Sequence, residues 1–281
     1  MINFNGGLLQ GDSNFLNHGN RGLRYGDALF ESVKVVNSKI YFWESHYLRL
    51  MSSMRILRME IPMDFTMEFL EEQILYTLRE NDLDQKSARV RLTVFRNNGG
   101  LYTPASNDVS YIIEADGLHT TFYSIGDKPY EVALFKDFFL NPDMLSNLKT
   151  NNRILNVVGS IFAKENGLDN CLLLNTRKSV VEALNGNLFL VQGNEIRTPP
   201  LSDGCLRGIV RNKLIGILGS SEDYSLTETS ISPFELQKAD ELFITNAIVG
   251  IQPITKYRKK LFGDKVSRSL LGKLNVLARL G

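Results

Sequence analysis

The pattern of apolar and polar positions divides the chain into recognisable elements. Ala88, Val90, Leu92 and Val94 interleave with Arg89, Arg91 and Thr93, the period of two expected of a strand with one buried face. Leu29–Val36 reads as another strand, and Asn37-Ser38 turns it into a third over 39–42. Trp43, Tyr47, Leu50, Met54 and Leu57 then recur at steps of four and three, one face of a helix that Pro62 ends. A second helix is expected from Asp64 as its cap, with Phe65, Phe69, Ile74 and Leu78 as its apolar contacts. Val109–Ala115 completes a first half of strands with two helices packed on them.

Beyond the polar, weakly patterned stretch 116–121, strands are predicted at 132–139, 171–175, 180–183, 188–192, 195–198 and 241–245. Helices are predicted at 153–166, closed by Gly167, at 208–218 and at 266–280, with a short one at 233–238. The chain is therefore expected to be α+β, with an N-terminal domain over 1–116 and a C-terminal domain over 117–281.

Composition narrows the choice of class. A length of 281 residues suits two cores, and a formal net charge of +1 gives no basis for general nucleic-acid or membrane-surface binding. Cys171 and Cys205 sit in apolar surroundings without metal-ligand spacing, so buried thiols and no metal are expected. The start lacks the basic and apolar regions of a signal peptide, and no apolar run approaches membrane-spanning length, which leads to the expectation of a cytoplasmic protein.

Three features carry candidate chemistry. Lys149 follows an apolar stretch and an Asn141-Pro142 turn, at the opening of a helix and among small polar residues. Desolvation or a nearby cation would bring such an amine to its neutral, nucleophilic form. Glu182 interrupts the apolar run Val180-Val181-Glu182-Ala183-Leu184, where a carboxylate is costly unless paired or hydrogen-bonded. Gly208-Ile209-Val210 begins a helix with unpaired amides at its positive end, a ready anion site. Arg49, one position off the apolar face of its helix, could supply an opposing cation, and Thr245, ending its strand, a hydroxyl.

An amine, a carboxylate and anion-binding amides are what a protein gripping pyridoxal 5'-phosphate requires. In collinear order, these segments resemble the class IV aminotransferase family, the fold-type IV pyridoxal-phosphate enzymes. The likeness is carried by Arg21-Gly22-Leu23-Arg24-Tyr25-Gly26-Asp27-Ala28-Leu29-Phe30-Glu31, by His46-Tyr47-Leu48-Arg49-Leu50, and by the segments around Lys149, Glu182, Pro199-Pro200 and Gly208. The resemblance implies an N-terminal α+β sandwich and a C-terminal α/β pseudo-barrel with the cofactor in the cleft between them. It implies Lys149 as the Schiff-base and proton-transfer residue and Glu182 as the partner of the pyridine nitrogen. Arg49, Gly208, the amides of Ile209 and Val210, and Thr245 would hold the phosphate, while Leu206 packs on the ring. Tyr25 would line the pocket of a small amino or carboxylate substrate. A homodimer is implied as well. One departure is Val210, where the family commonly has threonine.

The family spans two reactions, elimination by aminodeoxychorismate lyases and amino transfer by branched-chain or D-amino-acid aminotransferases. Lys149-Thr150-Asn151-Asn152-Arg153, Phe95-Arg96-Asn97-Asn98-Gly99-Gly100 and Thr245-Asn246-Ala247 resemble the lyase, which makes Arg96, Asn246 and Ala247 candidate substrate contacts. Leu101, where lyases often place an arginine, and Phe30-Glu31-Ser32 resemble the transferases. The balance favours 4-amino-4-deoxychorismate lyase, releasing pyruvate and 4-aminobenzoate, with the aminotransferase as the alternative. A cofactor-binding protein without turnover is a third class, opposed by the presence of both Lys149 and Glu182.

Overall fold

The computed structural model describes residues 1–280 and divides into two compact units: residues 1–121 with 149–152, and residues 122–148 with 153–280. The expected division at 116/117 puts Lys149 in the second half of the chain, whereas its contacts group it with the first unit.

The first unit holds β1 (Ile2–Phe4), β2 (Gly7–Leu9), α1 (Arg21–Tyr25), β3 (Ala28–Val36), β4 (Lys39–Ile40), α2 (Trp43–Ile56), α3 (Met67–Arg79), β5 (Ser87–Arg96) and β6 (Val109–Gly117). Its strands form one antiparallel sheet in the order β2-β1-β6-β5-β3-β4. Leu29, Val33 and Val35 share a face with Val90, Leu92 and Val94, and all are buried. That face receives the apolar sides of the helices, where Leu50 and Met54 of α2 and Leu70, Ile74 and Leu78 of α3 are buried as well. Removing these groups from water is what binds helices to sheet.

Two local expectations are corrected. The cap of α3 is Thr66, whose hydroxyl accepts from the Phe69 amide at 3.1 Å, two residues beyond Asp64. The strand after the Asn37-Ser38 turn stops at Ile40, because Phe42 adopts a left-handed conformation (φ 58°) that leads directly into α2. The helix expected over 153–166 spans Ile154–Glu165, with Arg153 as its cap. The short helix α1 was not foreseen. Asn20 caps it by accepting from the Leu23 amide at 2.9 Å.

The second unit holds β7 (Glu131–Leu140), α4 (Ile154–Glu165), β8 (Asn170–Asn175), β9 (Val180–Ala183), β10 (Gly186–Gln192), β11 (Glu195–Thr198), α5 (Ile209–Gly219), β12 (Ser225–Glu228), β13 (Glu241–Asn246), β14 (Gly250–Ile254), β15 (Lys256–Tyr257), β16 (Lys260–Leu261) and α6 (Lys265–Leu280). Its mixed sheet runs β12-β11-β10-β9-β8-β7-β15-β16, with β13 joining β10 to β14. The segment expected as a helix at 233–238 is a 3-10 turn over Glu235–Gln237. Gly167, at φ 65°, closes α4 in the left-handed conformation that glycine adopts without strain. One face of the sheet is an apolar core containing Leu172, Leu174, Leu188, Leu190, Leu242 and Ile244. Among the described residues, two sheets with six helices make the α+β class expected from the sequence. Among the described residues, no helix is long and apolar enough to cross a membrane.

Candidate active site

In the first unit, Lys149 is held by the edge of β3. β4 pairs with β3 only at Val35 and Val36, which leaves the Ala28–Phe30 end to take another partner. The Lys149 segment fills that place. Phe30 N donates to the Lys149 carbonyl at 2.9 Å, Asn151 N donates to the Ala28 carbonyl at 2.9 Å, and Leu29 and Thr150 form an antiparallel bridge. The Lys149 ammonium lies 4.3 Å from the centre of the Phe30 ring, and the Arg91 guanidinium carbon lies 3.7 Å from the same ring. Arg91 also donates to Asn151 Oδ1 at 3.1 Å, bracing the lysine segment from β5.

Arg49 is nearly buried and gripped by Glu31. Its Nε donates to Oε1 at 2.7 Å and its Nη2 to Oε2 at 2.5 Å. The same Oε2 lies 2.7 Å from His46 Nδ1, with His46 one turn before Arg49 on α2. Glu31 and His46 are 2% and 0% exposed. Burial raises the Glu31 pKa, but Arg49 and His46 more than offset it and hold the carboxyl at about 2. Burial pushes the His46 pKa down, against the pull of Glu31.

Tyr25 is half-buried and packs against Tyr102 with ring centres 5.7 Å apart. Arg96, expected as a substrate contact, donates to Asp27 at 3.0 Å, to Asn107 Oδ1 at 2.5 Å, and to the carbonyls of Arg58 at 3.1 Å and Leu57 at 2.7 Å. These four bonds lie within its own unit and brace it. Arg21 shares Asp27 at 2.9 Å and ties it to the carbonyls of Gly99 and Leu101.

In the second unit, pairing across three strands sets Glu182, Asn187 and Thr245 in one row. Glu182 on β9 faces Asn187 on β10, and Asn187 faces Thr245 on β13. Cross-strand partners point to the same side of a sheet. Glu182 is 4% exposed, so its carboxylate does not face water. Its Oε2 accepts from the Leu206 amide at 2.9 Å and from Asn187 Nδ2 at 3.3 Å. Asn187 Nδ2 also donates to the Leu206 carbonyl at 2.9 Å, so it fixes both the carboxylate and the loop leading into α5. Leu206, expected to act through its side chain, thus also tethers Glu182 through its backbone.

Gly208 is the N-cap of α5, followed by the buried Ile209 and Val210. A Cβ at Gly208 would lie 1.9 Å from Asn187 Oδ1, so only glycine lets this helix start approach the row. Thr245 is 1% exposed and its hydroxyl has no hydrogen-bond partner among the described residues. A buried hydroxyl without a partner is unusual and fits a site that receives an acceptor-rich ligand. Asn246, expected as a substrate contact, is engaged in its own turn. Its Oδ1 accepts from the Ile248 and Val249 amides at 3.0 Å each, and its Nδ2 donates to the Asn185 carbonyl at 3.0 Å. The Ala247 carbonyl accepts from the Tyr123 hydroxyl at 2.8 Å. Cys171 and Cys205 are buried, and burial pushes their thiols up to about 11 and about 12, which leaves them unreactive.

Sequence reasoning missed Asn187, Glu31, His46 and Asp27. The rule that flagged Glu182, a carboxylate among apolar neighbours, applies equally to Glu31, which shares the core-facing parity of Leu29, Val33 and Val35.

The first unit thus presents an amine on a strand edge, and the second a buried carboxylate and a glycine-led helix beside a buried hydroxyl. Residues 28–257 match the family model for amino-transferase class IV, and the chain belongs to that family. It is an enzyme, an aminotransferase or a lyase. It is 29% identical over 264 residues to a putative branched-chain-amino-acid aminotransferase of Methanocaldococcus jannaschii, covering 90% of this chain and 86% of that one. It is 24% identical over 264 residues to an aminodeoxychorismate lyase of Vibrio harveyi, covering 92% and 94%. The fold matches the branched-chain aminotransferase of Thermoproteus uzoniensis, solved with norvaline, at a TM-score of 0.86 and 23% identity over 97% and 92% of the chains.

Proposed function

We propose that this chain is a pyridoxal-phosphate-dependent aminotransferase acting on branched-chain or D-amino acids. The observation that carries the cofactor assignment is the buried, partnerless Thr245 hydroxyl in the same strand row as Glu182 and Asn187, with Gly208 packed on that row. When bound, pyridoxal phosphate supplies an aldehyde to bond the substrate amine and a ring that withdraws electrons from it.

The residues divide that work. Lys149 would supply the amine for the aldehyde and move a proton at the substrate α-carbon. Glu182 would hold a proton at the ring nitrogen. Thr245, the amides of Ile209 and Val210, and Arg49 would hold the phosphate. Val210 contributes its amide alone, so the hydroxyl contact that a threonine there would add is absent.

Amino transfer is preferred over the lyase reaction favoured by the sequence motifs. The 29% identical relative is named an aminotransferase, and two lyase-like features have local structural duties. Asn246 closes its own turn, and Arg153 donates to the Leu148 carbonyl at 2.7 Å. The lyase remains the second reading, carried by the Lys149–Arg153 motif and the Vibrio harveyi relative.

Incubation with pyridoxal phosphate, borohydride reduction and peptide mapping should label Lys149. A panel of L-leucine, L-isoleucine, L-valine and D-alanine with a keto-acid acceptor should then show amino transfer. Release of pyruvate and 4-aminobenzoate from aminodeoxychorismate, with no transfer across the panel, would replace this reading with the second. A homodimer is proposed as well, and sedimentation velocity tests it.

A further inference from the structure

We propose that His46 is a positioning residue for anion binding: as a neutral imidazole it fixes the Glu31 carboxylate, and through it the direction in which Arg49 meets a phosphate. This rests on the reading of Arg49 as a phosphate-holding residue.

Glu31 on β3 and the two α2 residues His46 and Arg49 form a buried chain of contacts. The carboxylate binds Arg49 along one edge, through Nε at 2.7 Å and Nη2 at 2.5 Å. A phosphate would meet the guanidinium on another edge than this one, and the two bonds to the carboxylate help to set the direction in which that edge points. Two arginine bonds alone leave the carboxylate able to rock about their line. The third bond, from His46 Nδ1 at 2.7 Å to Oε2, removes that freedom.

The protonation state follows from the surroundings. Glu31 is ionised and can only accept, so the hydrogen between the two groups belongs to Nδ1. Burial keeps the imidazole neutral, and Arg49 and Lys149 push the same way, against Glu31. Nε2 is then a bare acceptor, fully enclosed, with no partner among the described residues. An apolar side chain at position 46 would fill the space without burying an unsatisfied nitrogen. The imidazole therefore acts through Nδ1, and its recipient is the carboxylate that holds Arg49.

The test compares two ligands of the cofactor-free protein, pyridoxal phosphate and pyridoxal, by absorbance titration. Removing one charge-assisted hydrogen bond should weaken pyridoxal phosphate binding by about ten- to a hundredfold in His46→Leu. Pyridoxal, which has no phosphate, should bind as it does to wild type. His46→Asn places an amide donor near the position of Nδ1 and should keep the wild-type ratio of the two affinities. His46→Gln places it near Nε2 and should lose that ratio, so the Asn and Gln pair decides the matter if the leucine variant does not fold. A wild-type ratio in His46→Gln or in folded His46→Leu overturns the inference, as does equal weakening of both ligands. Failure of wild type to trap the cofactor at Lys149 overturns the function reading and this inference with it, whereas normal trapping with an unchanged ratio overturns this inference alone.

Discussion

Glu31 in one unit and Glu182 in the other are buried carboxylates held by different kinds of donor. Glu31 meets a cation: Arg49 grips both its oxygens and His46 adds a third bond. Glu182 accepts from the Asn187 amide and the Leu206 backbone N–H. An ion pair holds a carboxylate by its charge, whereas amide donors fix the direction in which it points. The first arrangement braces an arginine, and the second aims a carboxylate.

The largest expected effect lies outside the pair and sets its scale. Lys149→Ala should abolish amino transfer and borohydride labelling together, because no other residue is proposed to bond the aldehyde. Residual turnover at wild-type level would remove the lysine from the mechanism, and with it the need for a charged partner at Glu182.

The contrast itself predicts that the two glutamates fail differently. Glu31→Ala takes both charge-assisted bonds from a nearly buried guanidinium and should cost about 3–5 kcal/mol of folding stability in denaturant titrations. Glu182→Gln keeps the shape and an acceptor, so stability should fall by only about 1 kcal/mol. Its amino transfer should fall by about two to three decades, the equivalent of an unpaired cation in a dry site. Similar stability losses with similar activity losses would erase the distinction.

Acid should act on the Glu31 cluster in two steps. His46 is depressed below its ordinary value of 6.5 by burial, so the unfolded chain binds a proton that the folded chain refuses. Glu31 is depressed from 4.5 to about 2, so it too takes up its proton on unfolding first. Both signs agree: stability present at neutral pH declines below about pH 6.5 through His46 and again from 4.5 towards 2 through Glu31. Thermal melts across pH should show both limbs in wild type, and His46→Asn should flatten the first.

The smallest effect tests a local correction rather than the site. Thr66→Ala should cost about 1 kcal/mol through loss of the α3 cap. Asp64→Ala, at the position the sequence favoured, should leave stability within about 0.5 kcal/mol.

Much of the framework was readable because its periods were strong. The α2 face and the β5 alternation came out at nearly their observed bounds, since each buries an unbroken apolar row against one neighbour. β14 did not: Gly250-Ile251-Gln252-Pro253-Ile254 has a proline and no alternation, and it is a strand only because β13 lies beside it. Asp64 and Thr66 are both good caps, and only the backbone path decides between them.

At the site, Lys149 and Glu182 stood out by chemistry, while their supports did not. Asn187 depends on a hairpin register, and the Thr245 row depends on a pairing between strands far apart in the chain. The local bonds of Arg96 and Asn246 were not legible either, because a motif does not show which neighbours a side chain meets.

The four residues 149–152 have a further consequence. The chain leaves one unit, lends this short stretch to the β3 edge of the other, and returns. A gene cut near residue 121 would therefore yield two fragments in which the reactive amine and the strand that seats it are on different polypeptides. Recombination between relatives at that seam would pair a lysine segment from one parent with a receiving edge from the other. Chimeras should tolerate such exchange only where both parents agree at Ala28–Phe30 and at Lys149–Asn151.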